Sequence, residues 1–235
     1  ETTLDLSSTT LTSVEVILGN SNANTITVNQ ADLLSGGTVD GSTGTDTLAL
    51  VSSETTLDLS STTLASVEVI LGNSNANTIT VNQADLLSGG TVDGGTANDT
   101  LALASADTTL DLSSTTLSSV EVILGNANAN TITVNQADLL SGGTVDGGTA
   151  NDTLALASAD TTLDLSSTTL SSVEVILGNA NANTITVNQT DLLSGGTVDG
   201  AGATDTLALV SSETTLDLSS TTLSSVEVIL GNTNA

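Results

Sequence analysis

The sequence contains no lysine, arginine, histidine, cysteine, proline, methionine or aromatic residue. Without a cationic side chain it cannot form salt bridges between side chains, and it has no means of attracting nucleic acid or an anionic membrane directly. The lack of cysteine excludes disulfide bonds and thiol chemistry. No apolar run approaches the roughly 20 residues of a membrane-spanning helix, so we expect any export signal or anchor to lie outside these residues.

All 27 ionisable side chains are carboxylates, which gives a net charge of −27. The charged partners that remain are metal cations and cationic surfaces. A charge of this size is typical of disordered chains, which are poor in aliphatic residues. Here the first 53 residues contain fifteen Leu, Ile or Val residues at periodic positions, and this content predicts an ordered chain.

One segment, TTLDLSSTTL or a close copy, returns at Thr2, Thr55, Thr108, Thr161 and Thr214, an exact period of 53 residues. The chain therefore reads as one continuous array with repeats at 1–53, 54–106, 107–159 and 160–212 and a partial repeat at 213–235. Natural arrays usually close with an atypical capping repeat, so we expect these repeats to belong to a longer array.

Within a repeat, apolar residues alternate with polar ones over short stretches, which predicts strands with one face toward a core. These stretches hold Leu4 and Leu6; Val14, Val16 and Leu18; Ile26 and Val28; and Leu48 and Leu50. Strand centres about every ten or eleven residues leave no space for a crossover helix. In this phase Glu15 and its copies point outward as a solvated stripe.

The architecture that this pattern favours is all-β, a parallel β-solenoid whose neighbouring repeats share an aliphatic core. No two-residue Asn-Gly turn occurs, which argues against hairpins. Aligning loop 19–25 with loop 41–47 gives an offset of 22 residues and leaves 31 to the next copy. We therefore predict two unequal coils per repeat, with three shorter coils as the alternative.

The second loop of the repeat carries a recognisable motif. The sequence 94–102, GGTANDTLA, fits the pattern GGxGxDxUx except at Ala97, where the pattern has glycine. It resembles the nonapeptide of the RTX, or haemolysin-type calcium-binding, repeats, and the wider repeat is similar to tracts of large bacterial RTX-type adhesins and biofilm proteins. The resemblance implies secretion, a right-handed β-helix or β-roll, and Ca²⁺ held by backbone carbonyls and the sixth-slot aspartates, here Asp46, Asp99, Asp152 and Asp205.

Several positions depart from that family. The first loop has asparagine where the family has aspartate, at Asn24, Asn77, Asn130 and Asn183, and Ser42, Ala150 and Ala201 replace glycines. If the two loop types alternate along one edge, the carboxylate density is halved. The alternative to calcium is a turn ladder of Asn, Asp and Thr side chains bonded to the turn backbone.

Another set of aspartates precedes each loop aspartate by six residues. Its members are Asp40, Asp93, Asp146 and Asp199. They either add a second carboxylate to a calcium site or cap a turn. The sequence leaves both roles open.

The function that these features favour is structural: an extracellular spacer or filament-forming part of a bacterial surface adhesin or biofilm matrix protein. We expect lateral or end-to-end self-association, with divalent cations bridging the acidic chains. Catalysis is disfavoured, because each carboxylate recurs in every repeat and no His, Lys, Cys or Tyr is present. The alternative is an ice- or surface-binding solenoid, suggested by the recurring Thr25-Ile26-Thr27.

Overall fold

The computed structural model describes residues 1–234, and in these residues the chain is an all-β parallel solenoid of about ten turns with almost no helix. The predicted fold class is thereby confirmed. The only helices in residues 1–234 are four three-residue 3₁₀ turns. None of them is long enough to span a membrane.

The elements follow the repeat. The first repeat contains β1 (Thr3–Asp5), β2 (Val16–Asn20), β3 (Thr25–Val28), β4 (Thr38–Ser42) and β5 (Thr47–Leu50). The second contains β6 (Thr56–Asp58), β7 (Thr63–Ala65), β8 (Val69–Asn73), β9 (Thr78–Val81), β10 (Thr91–Gly95) and β11 (Thr100–Leu103). The 3₁₀ turns are η1 (Gln30–Asp32), η2 (Gln83–Asp85), η3 (Gln136–Asp138) and η4 (Gln189–Asp191).

The later repeats use the same segments. The third contains β12 (Thr109–Asp111), β13 (Thr116–Ser118), β14 (Val122–Asn126), β15 (Thr131–Val134), β16 (Thr144–Gly148) and β17 (Thr153–Leu156). The fourth contains β18 (Thr162–Asp164), β19 (Thr169–Ser171), β20 (Val175–Leu177), β21 (Thr184–Val187), β22 (Thr197–Asp199) and β23 (Thr206–Leu209), and the fifth contains β24 (Thr222–Ser224) and β25 (Val228–Leu230).

By its internal contacts the chain divides into two compact units. The first consists of Glu1–Asp107 with Ser114–Ile123, and the second of Thr108–Ser113 with Leu124–Ala235. The first unit contains three parallel sheets, which we call its first sheet (β1-β3-β5-β8-β10-β13), second sheet (β6-β9-β11) and third sheet (β2-β4-β7). In the second unit the parallel runs are β12-β15-β17-β20-β22-β24, β18-β21-β23-β25 and β16-β19.

Consecutive segments of the first unit visit its three sheets in turn, so three segments make one coil. The second, third and fourth repeats each have seven segments, six strands and one 3₁₀ turn, as in β6-β7-β8-β9-η2-β10-β11, and the first repeat has one strand fewer. Because seven is not a multiple of three, copies of one segment lie in different sheets: β2 belongs to the third sheet and β8 to the first. Each repeat therefore makes two and one third coils instead of the two that the loop alignment predicted.

The strand pairings give the coil length directly. Thr25 pairs with Thr47, which is the same offset as that between loop 19–25 and loop 41–47, so the shorter predicted step is confirmed. The longer predicted step does not occur as a coil, since the remaining pairings either keep this offset, as between Thr47 and Val69, or are slightly longer, as between Thr38 and Thr63. Seven short segments in the second, third and fourth repeats also place the strand centres closer together than predicted.

The core consists of inward aliphatic residues stacked in register. In the first sheet Ile26, Leu48, Ile70 and Val92 follow one another in adjacent strands, and each is at most 2% exposed. Burying an aliphatic side chain of this size contributes about 2 kcal/mol. Each such residue packs between coils that come from different parts of the repeat, so a single repeat cannot complete its own core.

The predicted phase of the VEVIL stretch, which is residues 14–18 and its copies such as 67–71, is wrong in part. Val67 and Ile70 are buried, whereas Val69 and Leu71 are only half-buried and lie on the outer face. The chain turns a corner at Ser66, which has φ of 50°, and the carbonyl of Asp46 accepts hydrogen bonds from the amides of both Glu68 and Val69. This corner restarts the alternation, so it cannot be read as one continuous period of two.

Candidate functional site

The candidate aspartates and asparagines lie in the corner loops or in the strand that leads into them. The amide of Thr47 bonds to the carbonyl of Asn24, and the amide of Asn24 bonds to the side chain of Asp46, so loop 19–24 and loop 41–46 lie on adjacent coils. The next coil brings Glu68 to the same corner, where its amide bonds to the carbonyl of Asp46. Each corner thus stacks an asparagine, an aspartate and a glutamate rather than alternating the two loop types.

The loop aspartates Asp46, Asp99, Asp152 and Asp205 are completely buried. In each, Oδ1 accepts a hydrogen bond of 2.6 Å from the backbone amide of the asparagine on the preceding coil. Their Oδ2 atoms are buried and have no hydrogen-bond partner. A buried carboxylate with a single donor and no nearby cation is costly, so this position is the chemically unusual feature of the repeat.

Burial raises the pKa of Asp99 and Asp152 above 3.8, and two carboxylates add to the effect. For Asp99 these are Glu121 and Asp93, and the hydrogen bond from the amide of Asn77 opposes the shift. No side-chain cation exists anywhere in the sequence to lower the pKa. Protonation therefore relieves part of the cost of burying the carboxyl.

The asparagines of the first loop organise their own turn. Asn77 is 2% exposed, and its Oδ1 accepts the backbone amide of Asn73 at 2.7 Å. The same bond forms at Asn24, Asn130 and Asn183. The side-chain oxygen of the asparagine thus accepts a hydrogen bond from the turn backbone of its own coil. Its backbone N–H donates a hydrogen bond to the aspartate of the next coil.

The second set of aspartates caps the turn that leads into the loop. Oδ1 of Asp40 accepts the amide of Ser42 at 2.8 Å, two residues on. The equivalent bonds at Asp93, Asp146 and Asp199 measure 2.9 to 3.0 Å. Of the two roles left open by the sequence, turn capping is the one for which the structure supplies the contacts.

The glutamates of VEVIL have a role that the predicted solvated stripe did not include. The amide of Asp46 donates to Oε2 of Glu68 at 2.7 Å, and matching bonds of 2.7 to 2.8 Å link Asp99 to Glu121, Asp152 to Glu174 and Asp205 to Glu227. Glu15, which has no coil beneath it here, remains exposed. The sequence could show the glutamates only as polar positions in a strand, because their hydrogen bonds to the loop aspartates depend on the neighbouring coil.

The loop backbone keeps the shape that glycines would favour. Ala97 and Ala150, at the glycine position of the motif, have φ of 93° and 96°, and Ser42 and Ala201 have φ of 81° and 75°. Non-glycine residues in this left-handed region cost roughly 1 kcal/mol each. The departures from the RTX pattern therefore strain the loop.

The calcium implied by the RTX resemblance fits this donor set poorly. Ca²⁺ takes six to eight oxygen ligands. Oδ1 of each loop aspartate, however, already accepts a hydrogen bond from a backbone amide. Oδ1 of Asp40, and of its copies, accepts a hydrogen bond from another backbone amide. Across residues 1–234, no three His, Cys, Asp or Glu side chains are grouped so that they could hold a metal ion. Each corner offers one free buried carboxylate oxygen.

A second buried carboxyl in each repeat was missed by the sequence reasoning. Asp85 ends η2, and its Oδ2 accepts the amide of Asn82 at 2.8 Å as part of a capping box. Its Oδ1 lies 3.4 Å from the amide of Leu64 on the preceding coil. The motif NQAD, with Asn and Asp three residues apart, is the sequence signal that could have identified this cap.

Burial is also the main cause of a raised pKa for two capping aspartates, Asp85 and Asp191. It raises the pKa of Asp85, and that of Asp191 to about 6, with a smaller contribution from the neighbouring Asp107 or Glu213 carboxylate. Hydrogen bonds from Asn82 or Asn188 oppose the shift. The repeat thus places two kinds of carboxyl in its interior, and neither has a cation beside it.

Comparison of the chain with protein-family models, curated proteins and solved structures finds no match. The RTX resemblance therefore rests on the sequence pattern of the loop and of the wider repeat alone. What the described residues do establish is a parallel β-solenoid whose corners are stacked Asn, Asp and Glu residues.

Proposed function

We propose that this chain is a structural extracellular segment, a spacer or filament-forming part of a bacterial surface adhesin or biofilm matrix protein. The observation that carries the proposal is the strand pairing, in which strands bond to segments one coil away along the chain, as Thr25 to Thr47 and Thr38 to Thr63. Because the pairing continues from one repeat to the next within each unit, adding repeats extends the same core. Length is then the property that the number of repeats sets.

The surface chemistry agrees with an exposed location. The net charge of −27 with no lysine or arginine keeps the surface hydrated and provides no cleavage site for trypsin-like proteases. The same charge opposes contact between chains. Self-association, lateral or end to end, is therefore proposed to depend on divalent cations that bridge carboxylates.

The spacer role is tested by measuring length against repeat number. Three segments per coil and about 4.8 Å per coil give about 11 Å per repeat. Chains of four, six and eight repeats would be examined by small-angle X-ray scattering, with a scrambled sequence of equal composition as the control. A maximum dimension that grows linearly by this increment supports the proposal, and growth with the cube root of chain length contradicts it.

Assembly needs its own test. Electron microscopy of the chain at a fixed ionic strength, with sodium alone or with calcium or magnesium, separates isolated particles from filaments. We expect filaments or lateral bundles only with divalent cations. Filaments in sodium alone would show that the carboxylates do not control association.

One observation favours the alternative of ice or surface binding. The outer face of the first sheet carries a row of threonines at the start of successive strands, at Thr3, Thr25, Thr47, Thr91 and Thr116, interrupted by Val69. This row is denser than the sequence repeat indicated. The neighbouring row on this face is mixed, with Asp5, Thr27 and Ala49 in adjacent strands, and this weakens the case for a regular threonine array. A thermal-hysteresis assay tests the function, and the absence of ice shaping would reject it.

A further inference from the structure

We infer that the loop corners are closed without calcium, by triads in which the glutamate of VEVIL is the third member. The triads are Asn24/Asp46/Glu68, Asn77/Asp99/Glu121, Asn130/Asp152/Glu174 and Asn183/Asp205/Glu227. The inference concerns how the coils are held together, and it does not depend on the proposed spacer function.

A backbone N–H group faces the loop aspartate. A calcium loop would point carbonyl oxygens at the ion, since Ca²⁺ binds oxygen ligands only. Here the group aimed at Oδ1 of Asp99 is the backbone N–H of Asn77, at 2.6 Å. An N–H group presents its positive end to the carboxylate and supplies the stabilisation that a cation would otherwise provide.

The glutamate is hydrogen-bonded to the loop aspartate of the preceding coil. Asp99 and Glu121 are joined in both directions: the amide of Asp99 donates to Oε2 of Glu121 at 2.8 Å, and the carbonyl of Asp99 accepts the amides of Glu121 and Val122 at 3.0 Å. The Asp99 carbonyl and one Glu121 oxygen, both candidate calcium ligands, are therefore already used between coils. Within the described residues, the buried side-chain oxygen of this corner that has no hydrogen-bond partner is Oδ2 of Asp99, and one such oxygen is far from a calcium shell of six to eight.

The backbone packs closely around the loop aspartate. A Cβ added to Gly94 would lie 2.1 Å from the carbonyl oxygen of Ser119 and 2.5 Å from Cβ of Asp99. The backbone of one coil therefore rests directly against the aspartate side chain of the same loop and the carbonyl of the next coil. Opening the corner for an ion would break the hydrogen bonds that define it.

A metal titration of the intact chain tests the inference. After chelation, calcium would be added from about 10 µM to about 10 mM, the range that brackets extracellular calcium modules, with magnesium at equal concentration as the control for charge screening. We expect equal melting temperatures in the two salts, and no saturable heat with calcium beyond the heat that magnesium gives at the same concentration through bridging of the chains. Saturable binding of calcium, with a melting temperature raised by calcium alone, would overturn the inference.

Variants of the glutamate test the triad itself. In Glu121→Ala the amide of Asp99 loses its acceptor, and we expect its hydrogen exchange to accelerate by about tenfold, the equivalent of one hydrogen bond. Glu121→Gln retains an acceptor oxygen, so exchange should stay near that of the parent. Glu15→Ala is the matched control, because the exposed Glu15 has no aspartate beneath it in this chain.

These variants also separate the two explanations. If Glu121→Ala leaves the exchange of the Asp99 amide unchanged, the glutamate is not part of the corner and the triad is wrong. If calcium raises the melting temperature of the parent and Glu121→Gln reduces that rise, the glutamate is a metal ligand and the inference is equally overturned. Unchanged exchange in Glu121→Gln together with faster exchange in Glu121→Ala supports the hydrogen-bonded corner.

Discussion

Acidification should stabilise this protein between pH 7.5 and pH 4.5, and Asp191 is the residue on which to test it. Its side chain is 3% exposed, and burial raises its pKa from 3.8 to about 6, against hydrogen bonds from Asn188 and the amide of Leu170 and with a smaller push from Glu213. The folded protein therefore binds this proton more tightly than the unfolded chain does. The resulting stabilisation is complete below pH 3.8 and is lost as the pH rises through about 6.

The shift sets the size of the effect. Each pKa unit corresponds to about 1.4 kcal/mol, so a rise from 3.8 to about 6 gives an upper limit of about 3 kcal/mol between the two ends of the titration. Solvent that reaches the carboxyl reduces this value. Asp191→Asn removes the titration while keeping one acceptor oxygen for the cap.

The control is an aspartate with the opposite shift. Asp217 is fully exposed, and hydrogen bonds from the side chain and amide of Ser219 lower its pKa, so its contribution to stability is lost as the pH falls. Asp217→Asn removes the same charge as Asp191→Asn. Any difference between the two variants therefore reports the buried carboxyl and not the general relief of repulsion among acidic side chains.

Far-ultraviolet circular dichroism must follow the unfolding, because the chain has no aromatic fluorophore. We expect the urea midpoint of the parent and of Asp217→Asn to fall between about pH 4.5 and about pH 7.5, and that of Asp191→Asn to fall less. Carboxyl ¹³C chemical shifts measure the pKa directly. A titration midpoint near 4 for Asp191, or equal pH dependence in the two variants, would refute the reasoning.

Three substitutions, two of them with a matched control, test the loop backbone and the core by urea or thermal unfolding. Ala97→Gly should stabilise the protein by about 1 kcal/mol, because the φ of Ala97 is 93°. The control Ala102→Gly, within β11, should destabilise it by roughly the same amount. A loss of stability in Ala97→Gly would show that the backbone at Ala97 is not strained. Gly94→Ala should cost about 3 kcal/mol because its Cβ would lie 2.1 Å from a carbonyl oxygen. Gly89→Ala, with φ of 80° and nothing within 4 Å of the added Cβ, should cost only about 1 kcal/mol; equal costs would show that the close contact is absent. Leu101→Ala, at a fully buried position, should cost about 2 to 5 kcal/mol, and a cost below 1 kcal/mol would place Leu101 outside the core.

Much of the fold could be predicted because its signals are local. The alternation in Ile26 and Val28 and in Leu48 and Leu50 reports the inward face correctly, and all four residues are buried. The offset of one coil was visible because two loops of similar composition lie on adjacent coils. Both features depend on short-range pattern and on exact repetition, which a sequence preserves.

The path of the coils could not be predicted in the same way. Segments such as Thr63–Ala65 have no strong alternation of their own, and they become strands because a neighbouring coil supplies their partners. The sequence therefore showed fewer segments than exist. The pairing of Glu68 with Asp46 was hidden for the same reason, since its hydrogen bonds join two different coils.

Seven segments on three sheets also have a consequence for register. The pairings join segments one coil apart, so in these pairings no strand lies beside its own copy in the next repeat. In the first sheet β5, β8 and β10 come from three different segment types. A slip by one coil would therefore place unlike segments together, for example a 3₁₀ turn where a strand is needed, and would bury polar side chains in the core. An array of nearly identical repeats is exposed to slippage of this kind, and a mismatch between the repeat and the coil gives it one defined register.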